Sequence, residues 1–329
     1  MARKDVTYEQ VVGMWRRERE TLGRVQPYTA KRGAQKALLF SPWIGAKAMT
    51  RIRPAMISDA LVYLGTHGGR DGKGLSSATL RAAHLAGTQA FEWAIARGLS
   101  KTNPFNDTER PHAHYRPSRF LTLEQSQELN GLMVKEIHKH MREGDVRDAS
   151  FALATCIALA TGMRRGEIFA LEGDDIDEKT GRVSISKAVK GGGELGLPKS
   201  ASGVRSVAVG DGLIKLLLEV KSWHAKKLPP RGWSHNRWII CDKSGNRASL
   251  NAFEHWWRTW TNGNDWEGLR FHELRHTHAT LLISSGVDVK TVQLRLGHSS
   301  ADITMSCYAH AIPLSDCHAA SALDSKLFA

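Results

Sequence analysis

Two arginines, two histidines and a tyrosine stand in the second half of this chain at spacings that suit chemistry on an anion. In TGMRRGEIFAL (161–171), Gly162 turns the chain, and Arg164 and Glu167 then lie three apart, on one face of a helix. HELRHTHAT (272–280) repeats the spacing with His272 and Arg275. LGHSS (296–300) sets His298 behind a glycine, and CYAH (307–310) carries Tyr308. Arginine is always charged and offers a planar fork of donors to oxyanions. Histidine can take a proton near neutral pH, and a phenol needs such help to become a nucleophile. Taken singly, each piece has an ordinary explanation: a surface ion pair worth a few tenths of a kcal/mol, a satisfied structural histidine, a half-buried tyrosine. Their joint order is what needs explaining.

The elements that must position these residues are mostly helical. FALATCIALA (151–160) is apolar on every side and predicts a buried central helix leading into TGMRR. FLTLEQSQEL predicts a capped helix start, with Thr122 three residues before Gln125. RVSISKAV (182–189), VRSVAV (204–209) and RWIIC (237–241) read as short strands, the first two joined by a Gly-rich connection. Upstream, VTYEQVVGMWRRERE predicts a first helix, and Pro54 opens a second that Gly68-Gly69 end. A third runs from Ser76-Ser77 to about Gly98, with Leu80, Ala83, Gly87, Phe91, Ala94 and Ile95 on one stripe. KTNPFNDTERPHAHYRPS then reads as a polar connection between domains. The class is mainly α with a small β-sheet in the second domain. The expected layout is 1–112 helical, 113–118 linker, and 119–329 carrying the candidate site and a C-terminal tail.

Charge points to the partner. The 329 residues carry a formal net charge of +13. Residues 1–118 hold 19 Lys+Arg against 9 Asp+Glu, a net of +10, and the remainder 27 against 24, a net of +3. Such an excess implies a polyanion, by default nucleic acid, held above all by the first third. Cys156, Cys241, Cys307 and Cys317 form no CxxC pair and read as reduced thiols of a cytosolic protein. MARKDVTYEQ lacks the apolar core of a signal peptide, and no apolar run approaches the roughly 20 residues that span a bilayer. These readings exclude an integral membrane protein and argue against secretion.

His272-Glu273-Leu274-Arg275-His276 matches the zinc-protease pattern HExxH. The extended pattern needs a glycine and a third histidine where Ala279 and Leu282 stand, and no glutamate follows Glu273 to serve as another third ligand. A zinc protease therefore stays a rival with an incomplete ligand set.

TGMRRGEIFAL, LPKSASGVRSVAV, HELRHTHAT, LGHSS and CYAH, in this order, resemble the boxes of the tyrosine recombinases and phage integrases. The likeness is strong over 119–329 and looser over about 5–118, where the helical pattern and the closing NPF resemble the family's core-binding domain. It implies a SAM-like helical core-binding domain followed by an α+β catalytic domain, without the separate arm-binding domain of the lambda-type integrases. By resemblance, Arg164 and Arg275 are the catalytic arginines, Lys199 the lysine of the β-hairpin, His272 and His298 the histidines, Tyr308 the nucleophile, and Glu167 the acidic residue that steadies the site.

The implied activity is site-specific recombination, of the integrase or excisionase type. DNA would be cut and rejoined through a 3′-phosphotyrosine link, without cofactor or metal. The implied partners are double-stranded recombination sites, bound by a homotetramer on two duplexes, with the C-terminal tail docking in trans and accessory DNA-bending or directionality proteins. The implied place is the bacterial host cytoplasm or nucleoid. A resolvase or transposase of the same chemistry, and a DNA-binding regulator with a relic site, are the other readings.

Overall fold

The computed structural model describes residues 6–23, 25–69, 72–112, 119–228, 238–298, 324 and 327. The expected linker at 113–118, Tyr308 and nearly all of the C-terminal tail lie outside them. The chain divides into two compact units, Met1–Arg116 and Pro117–Ala329.

The first unit is helical. Helices α1 (Tyr8–Thr21), α2 (Pro27–Ala37), α3 (Ser41–Ile44), α4 (Pro54–His67) and α5 (Ser77–Ala96) follow one another. Thr7 and Gln10 close a capping box at the start of α1, and Ser76 caps α5. The stripe on α5 buries Ala83, Gly87, Phe91 and Ala94 as its spacing predicts. Gly87 has a packing reason: a Cβ there would lie 2.3 Å from the Phe105 ring. The NPF segment locks that ring in place. Asn103 donates to the Thr88 carbonyl at 3.1 Å and accepts from Phe105 N–H at 3.1 Å. The polar stretch after α5 therefore begins as part of this core.

The second unit wraps around one helix. α6 (Leu123–Glu143) begins in a capping box made by Thr122 and Gln125, an arrangement typically worth about 1 kcal/mol. α7 (Val146–Thr161) is buried on almost every face. Its phenylalanine, Phe151, meets Phe253 edge-on at 5.3 Å in an aromatic cluster with Phe169 and Phe271. α8 (Arg165–Ile168) packs on the strand at 188–189 and α9 (Asp211–Lys227) on α7, and α10 (Leu250–Asn262), α11 (Glu273–Ser284) and α12 (Val289–Leu296) complete the described helices.

Two small antiparallel sheets replace the single one expected. β1 (Ile176–Asp177), β2 (Arg182–Ile185) and β5 (Arg205–Ala208) form one, with Val183 opposite Val207 and Ile185 opposite Arg205. β3 (Ala188–Val189) and β4 (Leu195–Gly196) form a hairpin closed by the Gly-rich turn. The run RVSISKAV thus splits between two sheets. RWIIC was expected as a strand, but its described residues make only isolated bridges, Trp238 with Glu172 and Cys241 with Arg247. The run packs as core, with Ile239, Ile240 and Cys241 all buried. An apolar run of that length signals burial, and only the neighbours decide whether a ladder forms.

Candidate active site

Arg164 and Glu167 meet, but not as two residues within one helix. α7 ends at Gly162, whose φ of 65° is left-handed and comfortable only for glycine. Arg164 then has extended backbone and precedes α8 as its N-cap. Glu167 reaches back from the first turn. Its carboxylate accepts from Arg164 N–H at 2.9 Å and from Arg164 Nη1 at 2.8 Å. His272 and Arg275 hold the same two positions, His272 as N-cap of α11 and Arg275 in the first turn, but the His272 backbone is already helical and its side chain makes no cap bond. The three-residue spacing read from the sequence is in both cases that of a cap and the turn above it.

Two helix ends are held crosswise by these arginines. Arg275, itself buried, donates from Nη1 to the Gly162 carbonyl at 2.6 Å and from Nη2 to the Leu296 carbonyl at 2.7 Å. Arg164 donates from Nη2 to the Gly297 carbonyl at 3.1 Å. Gly297 ends α12 with φ 66°, and a Cβ there would lie 2.6 Å from the Ser202 carbonyl oxygen. A third arginine joins them: Arg205, on β5, donates from Nε to the Arg295 carbonyl at 2.7 Å. The last carbonyls of a helix lack partners within it and carry the negative end of its dipole, so guanidinium groups belong there. Three consecutive carbonyls, of residues 295, 296 and 297, each accept from a different arginine. His298 follows at once, buried, its N–H bonded to the Gln293 carbonyl at 3.2 Å.

Glu167 balances this charge. It accepts from Arg205 Nη2 at 2.9 Å as well as from Arg164. Burial pushes its carboxyl up, but the hydrogen bond and charge of Arg205, joined by the backbone and side-chain hydrogen bonds of Arg164, win, and the net shift is downward. The histidines move the other way from protonation. Burial, then Arg275 and Arg164, hold the His298 imidazole down to about 3. His272 has an open edge, yet desolvation by the packing around it, then His276, Arg275 and Arg164, bring it to about 4. Both rings are therefore neutral at pH 7 in the DNA-free protein, each with one N–H to donate.

His224, buried on α9, and His278, buried on α11 where it accepts from Arg295 Nε at 3.1 Å, are also held down to about 4, chiefly by burial. Unfolded histidine titrates near 6.5. Folded values below the unfolded one mean that the stabilising contribution is complete above pH 6.5 and lost as pH falls toward 4. Near pH 5, unfolding should take up roughly four protons through these rings. The melting temperature of the DNA-free protein should therefore drop steadily between pH 6.5 and 4.5. A flat profile would contradict these environments.

Lys199 is exposed, in the turn between β4 and β5. Ser202, three residues on, donates to the Gly297 carbonyl at 3.4 Å, which ties this turn to the Arg164 and His298 cluster. Lys187 is engaged with Glu172 at 2.8 Å. Tyr308 lies outside the described residues. Glu273, the glutamate of the HExxH match, is buried and accepts from the backbone N–H of Arg119 and Arg270 at 3.0 and 2.8 Å. It also accepts from the Arg270 side chain at 2.6 Å. It ties the start of the second unit to α11. Among the described residues, the one cluster able to offer three metal ligands is His140, Asp145 and Asp148, none of them in HELRH. Sequence reasoning missed Arg205 and Ser202, and His276, whose ring stands edge-on to His272 at 5.3 Å.

Comparison with known proteins agrees with this geometry. Residues 120–313 match the Phage integrase family. The ICEBs1 integrase of Bacillus subtilis is 26% identical over 259 residues, 77% of this chain and 67% of that protein. The tyrosine recombinase XerC of Mycobacterium tuberculosis is 29% identical over 242 residues, 73% of this chain and 74% of that protein. Among solved structures, the Tn1549 transposon integrase in complex with transposon right end DNA superposes with a TM-score of 0.70 at 22% identity. That match covers 98% of this chain and all of the other. A lambda integrase tetramer bound to a Holliday junction gives a TM-score of 0.63 at 18% identity, over 90% of this chain and 78% of that one. The chain belongs to the phage integrase family. It is a site-specific DNA recombinase of the tyrosine type.

Proposed function

We propose that this recombinase cuts DNA with Tyr308 and that the arginine-held cluster is its active site. Arg164 and Arg275 clamp the non-bridging oxygens of the scissile phosphate, where charge grows as the phenol oxygen attacks. His298 adds a hydrogen bond. His272, neutral and open on one edge, takes the phenol proton. Lys199 protonates the departing 5′ oxygen. The product is a 3′-phosphotyrosine link, and a 5′-hydroxyl from another duplex reverses the step without ATP. The observation that carries this reading is the crosswise arrangement, in which both arginines are fixed by helix-end carbonyls beside His298.

The wider assembly follows the same reading. The first domain, 1–112, with most of the net positive charge, grips the duplex backbone, and 113–118 links it to the catalytic domain 119–329. Four copies act on two duplexes, and the C-terminal tail docks on a neighbour. The lambda integrase tetramer on a Holliday junction supports this stoichiometry. Accessory DNA-bending or directionality proteins set the outcome, and the work is done in the bacterial cytoplasm, at the nucleoid.

The test uses duplex fragments from the DNA flanking the protein's own gene, nicked so that rejoining fails. A covalent protein–DNA adduct should form and resist denaturing electrophoresis. It should form equally in excess chelator, because guanidinium groups carry the phosphate charge. Adduct only after zinc or magnesium is restored would overturn the mechanism. Tight binding to such a fragment without any adduct would favour a DNA-binding regulator.

A further inference from the structure

We propose that Arg205 is a positioning residue of this active site: it holds Glu167 from one side and the end of α12 from the other, so that Arg164 and His298 stand ready for the phosphate. The inference rests on the reading just given. Every nitrogen of the Arg205 guanidinium is spent on the protein. Nε donates to the Arg295 carbonyl at 2.7 Å, Nη1 to the Gly203 carbonyl at 2.9 Å, and Nη2 to Glu167 at 2.9 Å. Its side chain is only 7% exposed. A fork so committed, and so covered, is not placed to bind substrate.

Its three partners matter to the site. The Gly203 bond ends the turn that carries Lys199 and Ser202. The Arg295 bond fixes the helix end two residues before Gly297, where Arg164 is anchored, and three before His298. The Glu167 bond supplies a second cation to a carboxylate with 1% of its side chain exposed. Without it, Arg164 would be left as the sole cation on a buried carboxylate, and its fork would be drawn toward Glu167 and away from a phosphate. One residue thus couples the hairpin, the Arg164 cap and the His298 turn.

The experiment uses the full chain and the nicked substrate. The wild-type adduct is measured first. Rates are taken at protein concentrations that saturate the DNA, with binding affinity and melting temperature measured alongside. Arg205→Gln should slow adduct formation on the order of 100-fold, the effect expected of small misplacement of a reacting group. DNA affinity should change little, since Arg205 does not contact phosphate. Arg205→Lys keeps a charge opposite Glu167 but loses the fork, so its rate should lie between the two.

In a Glu167→Gln background the further effect of Arg205→Gln should shrink to a few-fold, because the two residues act as one unit. Full additivity in that double variant would overturn the inference. So would a wild-type rate for Arg205→Gln, or a rate loss matched by an equal loss of folded protein in both Arg205 variants. Absence of adduct from the wild type would instead strike the functional reading itself.

Discussion

Tyr308→Phe should leave a protein that binds its DNA with near-native affinity and never becomes linked to it. The change removes one oxygen and keeps the ring. Phosphate affinity depends on the guanidinium groups, which this substitution does not touch. The chemistry, in contrast, would lose the atom proposed to form the new bond to phosphorus. The other residues of the proposed site do not stand in: the imidazole of His272 would have to leave its role as base, and Arg164 and Arg275 have no nucleophilic form at neutral pH. The covalent adduct should fall below detection on a nicked duplex, while a filter-binding or gel-shift curve on the same duplex stays in place. An adduct formed by the Tyr308→Phe protein would sink the assignment of the nucleophile. An adduct mapped by peptide sequencing to another tyrosine would move it. Loss of binding together with loss of adduct would instead make Tyr308 part of the DNA-gripping surface.

The site was legible in the sequence to the extent that local rules set it. A glycine that must turn left-handed ends α7 at Gly162 and α12 at Gly297, and each turn stands beside a residue of the candidate site, Arg164 or His298. The spacing of Arg164 to Glu167 and of His272 to Arg275 survives as a relation between a cap and its first turn, although it read as two residues on one helix face. What local rules do not set is who receives the other end of a long side chain. Arg205 and Val207 alternate on the inner face of β5, so a charge could have been foreseen on a buried surface. Its partner, Glu167, is 38 residues away, on an element that only the packed fold brings near. RWIIC failed for the complementary reason. Its apolar residues are buried as expected, but a strand needs a neighbour in register, and the sequence of the run itself names none. The first unit was easier, because α1 and α5 announce themselves by side-chain caps, α4 by the proline at its start, and all three by periodic burial within twenty residues.

Lys199→Ala should be slow on ordinary DNA and nearly normal on a substrate that needs no acid. Three lysines in the hairpin region could supply the proton, and their surroundings differ. Lys187 is paired with Glu172, itself buried, and would have to break that pair to reach a substrate. Lys190 sits at the β3–β4 turn, its stem against Gly196. Lys199 is exposed, and its turn is tied by Ser202 to the carbonyl that anchors Arg164. It therefore combines freedom at the tip with a fixed base, the combination a flexible ammonium needs to reach a leaving oxygen. Loss of a general acid costs roughly 10²–10⁴-fold in rate. The decisive substrate replaces the bridging 5′ oxygen by sulfur, whose thiolate departs without a proton. On that substrate Lys199→Ala should recover most of the wild-type rate, whereas Arg164→Lys and Arg275→Lys should stay slow, because the clamp is needed whatever departs. Recovery confined to Lys190→Ala or Lys187→Ala would transfer the role to that residue. A Lys199→Ala protein equally slow on both substrates would make this lysine a phosphate contact and leave the protonation of the 5′ oxygen to another group.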